Sequence, residues 1–294
     1  ISDSIISPTS PSFSSTPVID SENDVNDLSS RCISLISQSI VPIVPISSND
    51  SAGFFSIMNH LIQLFHVHKC FYIQEHAGIP TSDNQHESFI NLHYLNTAHY
   101  SSIYSNRLNA YQTIGRTAPF CSFVITSFGS LLDELFTIKG AGTYCRYFQI
   151  DSFSSPHDST LIQQVHTILE SSFSKPLAPN FSLSKASTIY IQTDGDGLAV
   201  IERMGSDFAY LDKFAVLPLA QGTGLGRSLW LRILDIHPKL LWRASLSNPL
   251  NAFYTKNATG SETIGNWNVY WKGCSLSEAK PYLDAIGQKP SSFS

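Results

Sequence analysis

The sequence predicts two domains of different class: an α/β lobe with a mostly parallel sheet, then an α+β domain with a mixed sheet. Three observations predict this. The chain has 294 residues, about twice the size of an ordinary single domain. Between about Val41 and Gln149, strand-like apolar runs alternate with helix-length stretches, the pattern of helices laid on a parallel sheet. Beyond the turn-forming stretch Ser152–His157, two strand candidates follow one another across an Asp-Gly turn, the signature of an antiparallel hairpin.

The elements follow in order. The first sixteen residues hold seven Ser, two Thr and two Pro, too few large side chains to offset the entropy of ordering, so 1–38 is expected to be a flexible Ser/Pro-rich lead-in. In 39–151, strands are expected at Ile43–Ile46, Cys70–Gln74, Ser88–Leu92 and Phe123–Thr126, and helices at Phe54–His66 and Gly129–Thr137. In 158–294, Leu161–Ser172 carries apolar residues at helix-face spacing. Strands Thr188–Gln192 and Leu198–Met204 flank Asp194-Gly195-Asp196-Gly197, followed by a strand at Tyr210–Val216 and a glycine-rich turn. A helix from about Gly226 to Ile236, a strand at Leu240–Ser245, a helix opening near Pro249 and an aromatic strand at Trp267–Trp271 complete the domain.

Composition excludes several functions. Eighteen Lys plus Arg stand against 23 Asp plus Glu, a net charge of −5, so no basic field holds a nucleic-acid backbone. The longest apolar stretches contain prolines and fall short of the roughly 18 residues that span a bilayer, so no membrane partner is expected. Five cysteines (Cys32, Cys70, Cys121, Cys145, Cys274) lie far apart without metal-site or redox spacing, which suggests a reducing compartment. The chain opens on Ile1 rather than Met, implying a processed product or a piece of a longer protein. His66-Val67-His68, with His60 and His76, lacks the carboxylate or cysteine that would complete a metal site, and no metal is expected. Asp194-Gly195-Asp196-Gly197 lacks the distant Glu of a calcium loop and reads as a hairpin turn. No Gly-x-Ser-x-Gly or Cys-His arrangement marks a hydrolase.

The sharpest local signal is Gln221-Gly222-Thr223-Gly224-Leu225-Gly226-Arg227, after a strand and before an amphipathic helix. Glycines there let main-chain N–H groups approach an anion closely, and the helix start adds partial positive charge, which suits a pyrophosphate. Taken alone, the turn also fits a dinucleotide fold or a tight turn with no ligand. It lacks the Gly-Lys-Ser/Thr ending of a P-loop, which disfavours ATP.

The same residues carry a resemblance. Gln221, Gly224 and Gly226 match the Gln/Arg-x-x-Gly-x-Gly/Ala signature with which GNAT-type acyltransferases hold the pyrophosphate of acetyl-CoA. Tyr210–Val216, Leu229-Trp230, Leu241–Ser245, Asn248–Tyr254 and Trp267–Gly273 then resemble, in order, the acetyltransferase domain of the N-acetylglutamate synthases of fungi and animals. In the first half, Gly78-Ile79-Pro80, Phe89–Leu92, Phe123–Thr126 and Glu134–Thr143 resemble the later lobe of the amino-acid-kinase-like domain of those synthases. The resemblance implies an enzyme moving the acetyl group of acetyl-CoA to the α-amine of L-glutamate, the first step of arginine biosynthesis. It also implies the mitochondrial matrix, a homo-oligomer, arginine as a feedback ligand and acetylglutamate kinase as a possible partner.

Residue roles follow from the resemblance. Val216, Gln221, Gly222, Thr223, Gly224, Leu225, Gly226 and Arg227 are expected to bind the cofactor. The strand at Lys213–Val216 is expected to bulge from its neighbour, freeing N–H groups of Phe214 and Ala215 to polarise the acetyl oxygen. Tyr254 is the candidate general acid for the departing thiolate; Asp212, Glu202 or relayed water is the candidate base. Lys175, Lys213, Arg243 and Asn248 are expected to hold glutamate, whose carboxylates need cationic or donor partners. Where animal members carry a second arginine, this chain has Ser245. That departure keeps a second reading open: a non-catalytic regulatory protein that binds acetyl-CoA or arginine and partners a kinase.

Overall fold

The computed structural model describes residues 30, 31, 33, 34 and 37, then 51–80, 86–136, 140–154 and 158–294. Nearly all of the expected lead-in, the strand expected at Ile43–Ile46 and Cys32 lie outside them. The chain divides into two compact units, with the change-over for the main part of the second unit at Arg146.

In the first unit, β1 (Lys69–Gln74), β4 (Phe89–Asn91), β5 (Ser122–Ser127) and β6 (Thr143–Arg146) form a sheet in the order β1-β5-β6-β4, beside a small pair, β2 (Ile79–Pro80) with β3 (His86–Glu87). β1 and β5 run parallel along their full length, as expected. The first five residues of β5 are buried, which is why its sequence reads as one apolar run. Two distant motifs meet here: the Thr143 hydroxyl accepts from the Ile79 amide at 2.7 Å and donates to the Glu87 carbonyl, beside Gly78 at φ +77°. Helix α1 (Ser51–Phe65) matches expectation, and α3 (Leu131–Phe136) lies within the expected helix, its residues from Asp133 onward belonging to the second unit. The 16-residue α2 (Ser102–Thr117) was not expected. Its buried face is only Leu108, Tyr111, Ile114 and Gly115, and polar residues hide that stripe in the sequence; Tyr111 stacks on Phe123 of β5 at 4.2 Å.

The second unit is built on a seven-stranded mixed sheet. Its strands are β7 (Ile150–Ser154), β8 (Ala186–Gln192), β9 (Gly197–Met204), β10 (Phe208–Val216), β11 (Leu240–Ser245), β12 (Gly260–Ile264) and β13 (Trp267–Lys272), ordered β12-β13-β11-β10-β9-β8-β7. Helices are α4 (Ser159–Phe173), α5 (Leu225–Ile236), α6 (Asn251–Asn257) and α7 (Leu276–Gly287). The β8–β9 hairpin turns at Gly195 with φ +80°, as the Asp-Gly pair predicts. β7 pairs with β8, so this unit takes up a strand ahead of the expected junction at 152–157; an edge strand with three exposed residues gives no apolar signal. β12 and α7 also went unforeseen.

Two cores flank the sheet. Leu161, Val165, Ile168 and Leu169 of α4 pack on Ile189, Ile191, Leu198 and Val200, while Ala279, Leu283 and Ile286 of α7 pack on Phe208, Tyr210, Leu241 and Val269. Helix α7 opens with a full capping box, Ser275 with Glu278. All the sheet pairings are antiparallel except β10–β11, and that one requires the crossover through the glycine turn and α5.

Candidate active site

The site begins where the parallel pair fails. β10 and β11 are in register only at Ala209↔Leu240, Tyr210↔Leu241 and Leu211↔Trp242. Beyond that the strands part, and β10 carries a register shift against β9 between Leu211 and Lys213, which leaves Asp212 as the extra residue of a bulge. β10 stays paired with β9 through Val216↔Gly197, and the Leu217 amide donates to the Asp196 carbonyl at 2.8 Å. Main-chain groups alternate along a strand, so the amides of Phe214 and Val216 face the opened edge while that of Ala215 faces β9. The Gln221 side-chain amide donates to the Val216 carbonyl at that same edge, at 3.3 Å.

The turn that follows delivers the chain to α5. After a 3₁₀ turn at Pro218–Ala220, Gly222 has φ +79° and Gly224 φ +87°. Both conformations are strained for residues with a Cβ. The Thr223 hydroxyl donates to the Ala220 carbonyl at 2.7 Å, bracing the turn. Gly224 is the N-cap of α5 and brings no side chain to its first-turn amides. A Cβ added at Gly222 would meet nothing within 4 Å, so that backbone lies open. The Leu225 side chain is wholly buried, leaving only its main chain for a ligand; Gln221 and Arg227 are exposed. A helix N-terminus without a side-chain cap beside open glycine backbone fits a phosphate group.

Tyr254, on α6, sits where the strands part. Its ring lies 5.9 Å from that of Trp242, the last residue of β11 paired with β10, and 6.0 Å from Trp230 of α5. It is 5% exposed, and its hydroxyl makes no hydrogen bond among the described residues. Burial, reinforced by Tyr270, holds the phenol well above the ordinary tyrosine range, so it stays protonated. Asn251 steadies this helix, donating to the carbonyls of Ser245 and Leu246 at 2.9 and 3.0 Å and accepting from the Tyr270 hydroxyl at 3.1 Å.

The expected glutamate-binding residues occupy varied environments. Lys213 is buried; desolvation pushes its pKa down, and its ion pair with Asp212 acts against that shift. Its ammonium lies 5.5 Å from the centre of the Phe181 ring. Arg243 stacks on Trp267 at 3.9 Å and donates to the carbonyls of Ile286, Lys289 and Pro290 at 3.1, 2.6 and 2.7 Å. Asn248 accepts from the Leu250 amide at 2.8 Å, an Asx turn, so α6 opens at Asn251 rather than at Pro249. Lys175 is exposed just after Ser174, which ends α4 at φ +51°. Of the two carboxylates considered as base, Asp212 pairs with Lys213, and Glu202 pairs with Lys289 at 2.7 Å. Lys289 lies in no motif and gave no signal in the sequence; only folding brings it to β9 and β10, where it also covers the Tyr210 ring at 4.4 Å. Among the described residues, no group of three or more His, Cys, Asp or Glu side chains is placed to hold a metal.

The second unit, a mixed sheet parted beside an uncapped, glycine-led helix, has a GNAT-like acetyltransferase fold. Residues 152–289, within the second unit, match the family model of the N-acetyltransferase (NAT) domain of N-acetylglutamate synthase. The chain is 34% identical over 179 residues to the mitochondrial N-acetylglutamate synthase of Danio rerio, covering 58% of this chain and 34% of that one. It is 35% identical over 157 residues to the acetylglutamate kinase of Xanthomonas campestris, covering 52% and 37%. The chain thus spans about a third of the length of these curated relatives. Among solved structures, the N-acetylglutamate synthase of Neisseria gonorrhoeae, complexed with coenzyme A and N-acetyl-glutamate, matches with a TM-score of 0.43 at 16% identity, over 83% of this chain and 66% of that one.

Proposed function

We propose that the second unit transfers the acetyl group of acetyl-CoA to the α-amine of L-glutamate, forming N-acetylglutamate for arginine biosynthesis in the mitochondrial matrix. One observation carries the reading: the free edge of β10 after Leu211 runs directly into the glycine turn at the uncapped start of α5. One continuous stretch, 212–227, therefore offers donors both to an acyl carbonyl and to a pyrophosphate. The turn amides and the positive end of α5 hold the phosphates. The outward amides of Phe214 and Val216 receive the pantetheine and acetyl carbonyls, stabilising negative charge that develops on the acetyl oxygen. Ala215, expected among those donors, serves by holding β10 to β9. The Tyr254 phenol, protonated and without a hydrogen-bond partner among the described residues, donates to the departing thiolate. Asp212 and Glu202 are both engaged by lysines, so water relays the proton from the incoming ammonium.

Lys213 and Lys175 supply positive charge for the two carboxylates of the acceptor. Arg243 joins them by exchanging main-chain carbonyls for a carboxylate, a stronger charge-assisted partner. The relatives' names support the pathway and the compartment. Arginine acts as a feedback ligand on the first unit, the protein is a homo-oligomer, and acetylglutamate kinase is its partner.

The engaged Arg243 guanidinium and Ser245 favour the second reading, a regulatory domain that binds acetyl-CoA without turnover. Incubation with acetyl-CoA and glutamate decides between them. Stoichiometric release of coenzyme A thiol with N-acetylglutamate supports the transferase, whereas calorimetric binding of acetyl-CoA with no product refutes it.

A further inference from the structure

We propose that Cys70 and Cys121 form a redox-active dithiol in the first unit, a two-electron oxidation site that closes to an internal disulfide on meeting a peroxide. Fifty-one residues apart in sequence, the two sulfurs lie 3.8 Å from one another, and either can donate to the other. The sheet holds them there. Cys70 is the second residue of β1, Cys121 immediately precedes β5, and these strands are parallel neighbours. The Ser122 amide and hydroxyl bind the His68 carbonyl at 2.9 and 3.1 Å, and the Cys121 amide donates to the Ala118 carbonyl at 3.0 Å. These bonds fix the backbone on which the two side chains stand, with Cys70 opposite Phe123 and Cys121 two residues before it on the same face.

The two thiols are also unequal, as an attacking and a resolving cysteine must be. Cys121 is wholly buried, while Cys70 is half-buried and reachable. The hydrogen bond from Cys121 stabilises the Cys70 thiolate and lowers its pKa, against the opposing effect of burial. Cys145 and Cys274, by contrast, are buried, and desolvation raises both of their pKa values.

The chemistry balances. The Cys70 thiolate attacks hydrogen peroxide, forming an S–O bond as O–O breaks; hydroxide leaves and takes up the proton Cys70 had released, giving a sulfenic acid and water. The Cys121 sulfur then attacks the Cys70 sulfur, forming S–S as S–O breaks, and a second water departs with the Cys121 proton. Two thiols are oxidised by two electrons and one peroxide is reduced to two waters.

The test uses the full chain, reduced, exposed to equimolar hydrogen peroxide, then alkylated and mapped by mass. The expected result is a loss of two alkylatable thiols per chain, a Cys70–Cys121 cross-linked peptide and full recovery with dithiothreitol. Cys121→Ser should leave a Cys70 sulfenic acid that dimedone traps, and Cys145→Ser should leave the reaction unchanged. Retention of both thiols, a Cys70 disulfide between chains, or an unaltered outcome in Cys121→Ser overturns the proposal. If Cys121→Ser fails to fold, the wild-type peptide map decides alone.

Discussion

Replacing Tyr254 with Phe removes one oxygen from the point where β10 and β11 part. The aromatic ring still fills its place against Trp230, Trp242 and Tyr270. Since the hydroxyl makes no hydrogen bond among the described residues, no partner is left unsatisfied, and stability should move by no more than about 0.5 kcal/mol. Turnover should behave differently. A positioned general acid contributes roughly 10²- to 10⁴-fold, about 3 to 5 kcal/mol of barrier. The phenol acts on a charge that exists only as the thiolate departs, so kcat should fall by that factor while KM for acetyl-CoA and glutamate stays within a few-fold. Coenzyme A thiol release, followed continuously with a disulfide reagent, gives both constants. The raised phenol pKa adds a second readout: the alkaline limb of kcat from this group should lie above pH ~10, the ordinary tyrosine value. A variant keeping at least a third of wild-type kcat, or losing it only through KM, would refute the assignment.

Arg243→Ala should destabilise the second unit by about 2 to 3 kcal/mol, because one guanidinium ties β11 to carbonyls at the end of α7 and just beyond it and stacks on Trp267. Urea denaturation checks this, and a loss below about 0.5 kcal/mol would show those bonds to be incidental. Gly224→Ala forces a Cβ onto φ +87°, costing about 1 to 2 kcal/mol at the helix start, and should weaken acetyl-CoA binding about tenfold by calorimetry. Raising the pH should destabilise both units. Burial raises the phenol pKa of Tyr111, Tyr210 and Tyr254, so above pH ~10 the unfolded chain releases protons that the folded one retains. That stability is fully present below the unfolded pKa and is lost as pH climbs toward the folded values; a melting temperature unchanged between pH 9 and pH 11 would contradict the burial.

Most of the second unit's framework was legible because its signals are local. The Asp194-Gly195 pair fixes a hairpin, the spacing of Leu161, Val165, Ile168 and Leu169 fixes a helix face, and the glycines at 222 and 224 occupy positive φ where a turn needs it. What stayed hidden lacks a local pattern. Helix α2 buries only a thin stripe among polar residues, and β7 is an exposed edge. Nothing in the sequence marks Lys289 as a partner of Glu202, or Cys70 as a neighbour of Cys121, since those meetings join segments 87 and 51 residues apart.

The order of residues alone determined the turn at 221–227, the strand before it and the helix after it, because backbone φ preference and apolar period are properties of neighbours along the chain. Only the tertiary structure decided where β10 leaves β11, that Arg243 is held by main-chain carbonyls, and that the Tyr254 hydroxyl has no partner among the described residues. Those facts depend on register between strands and on the burial of side chains by distant segments, and long-range packing sets both.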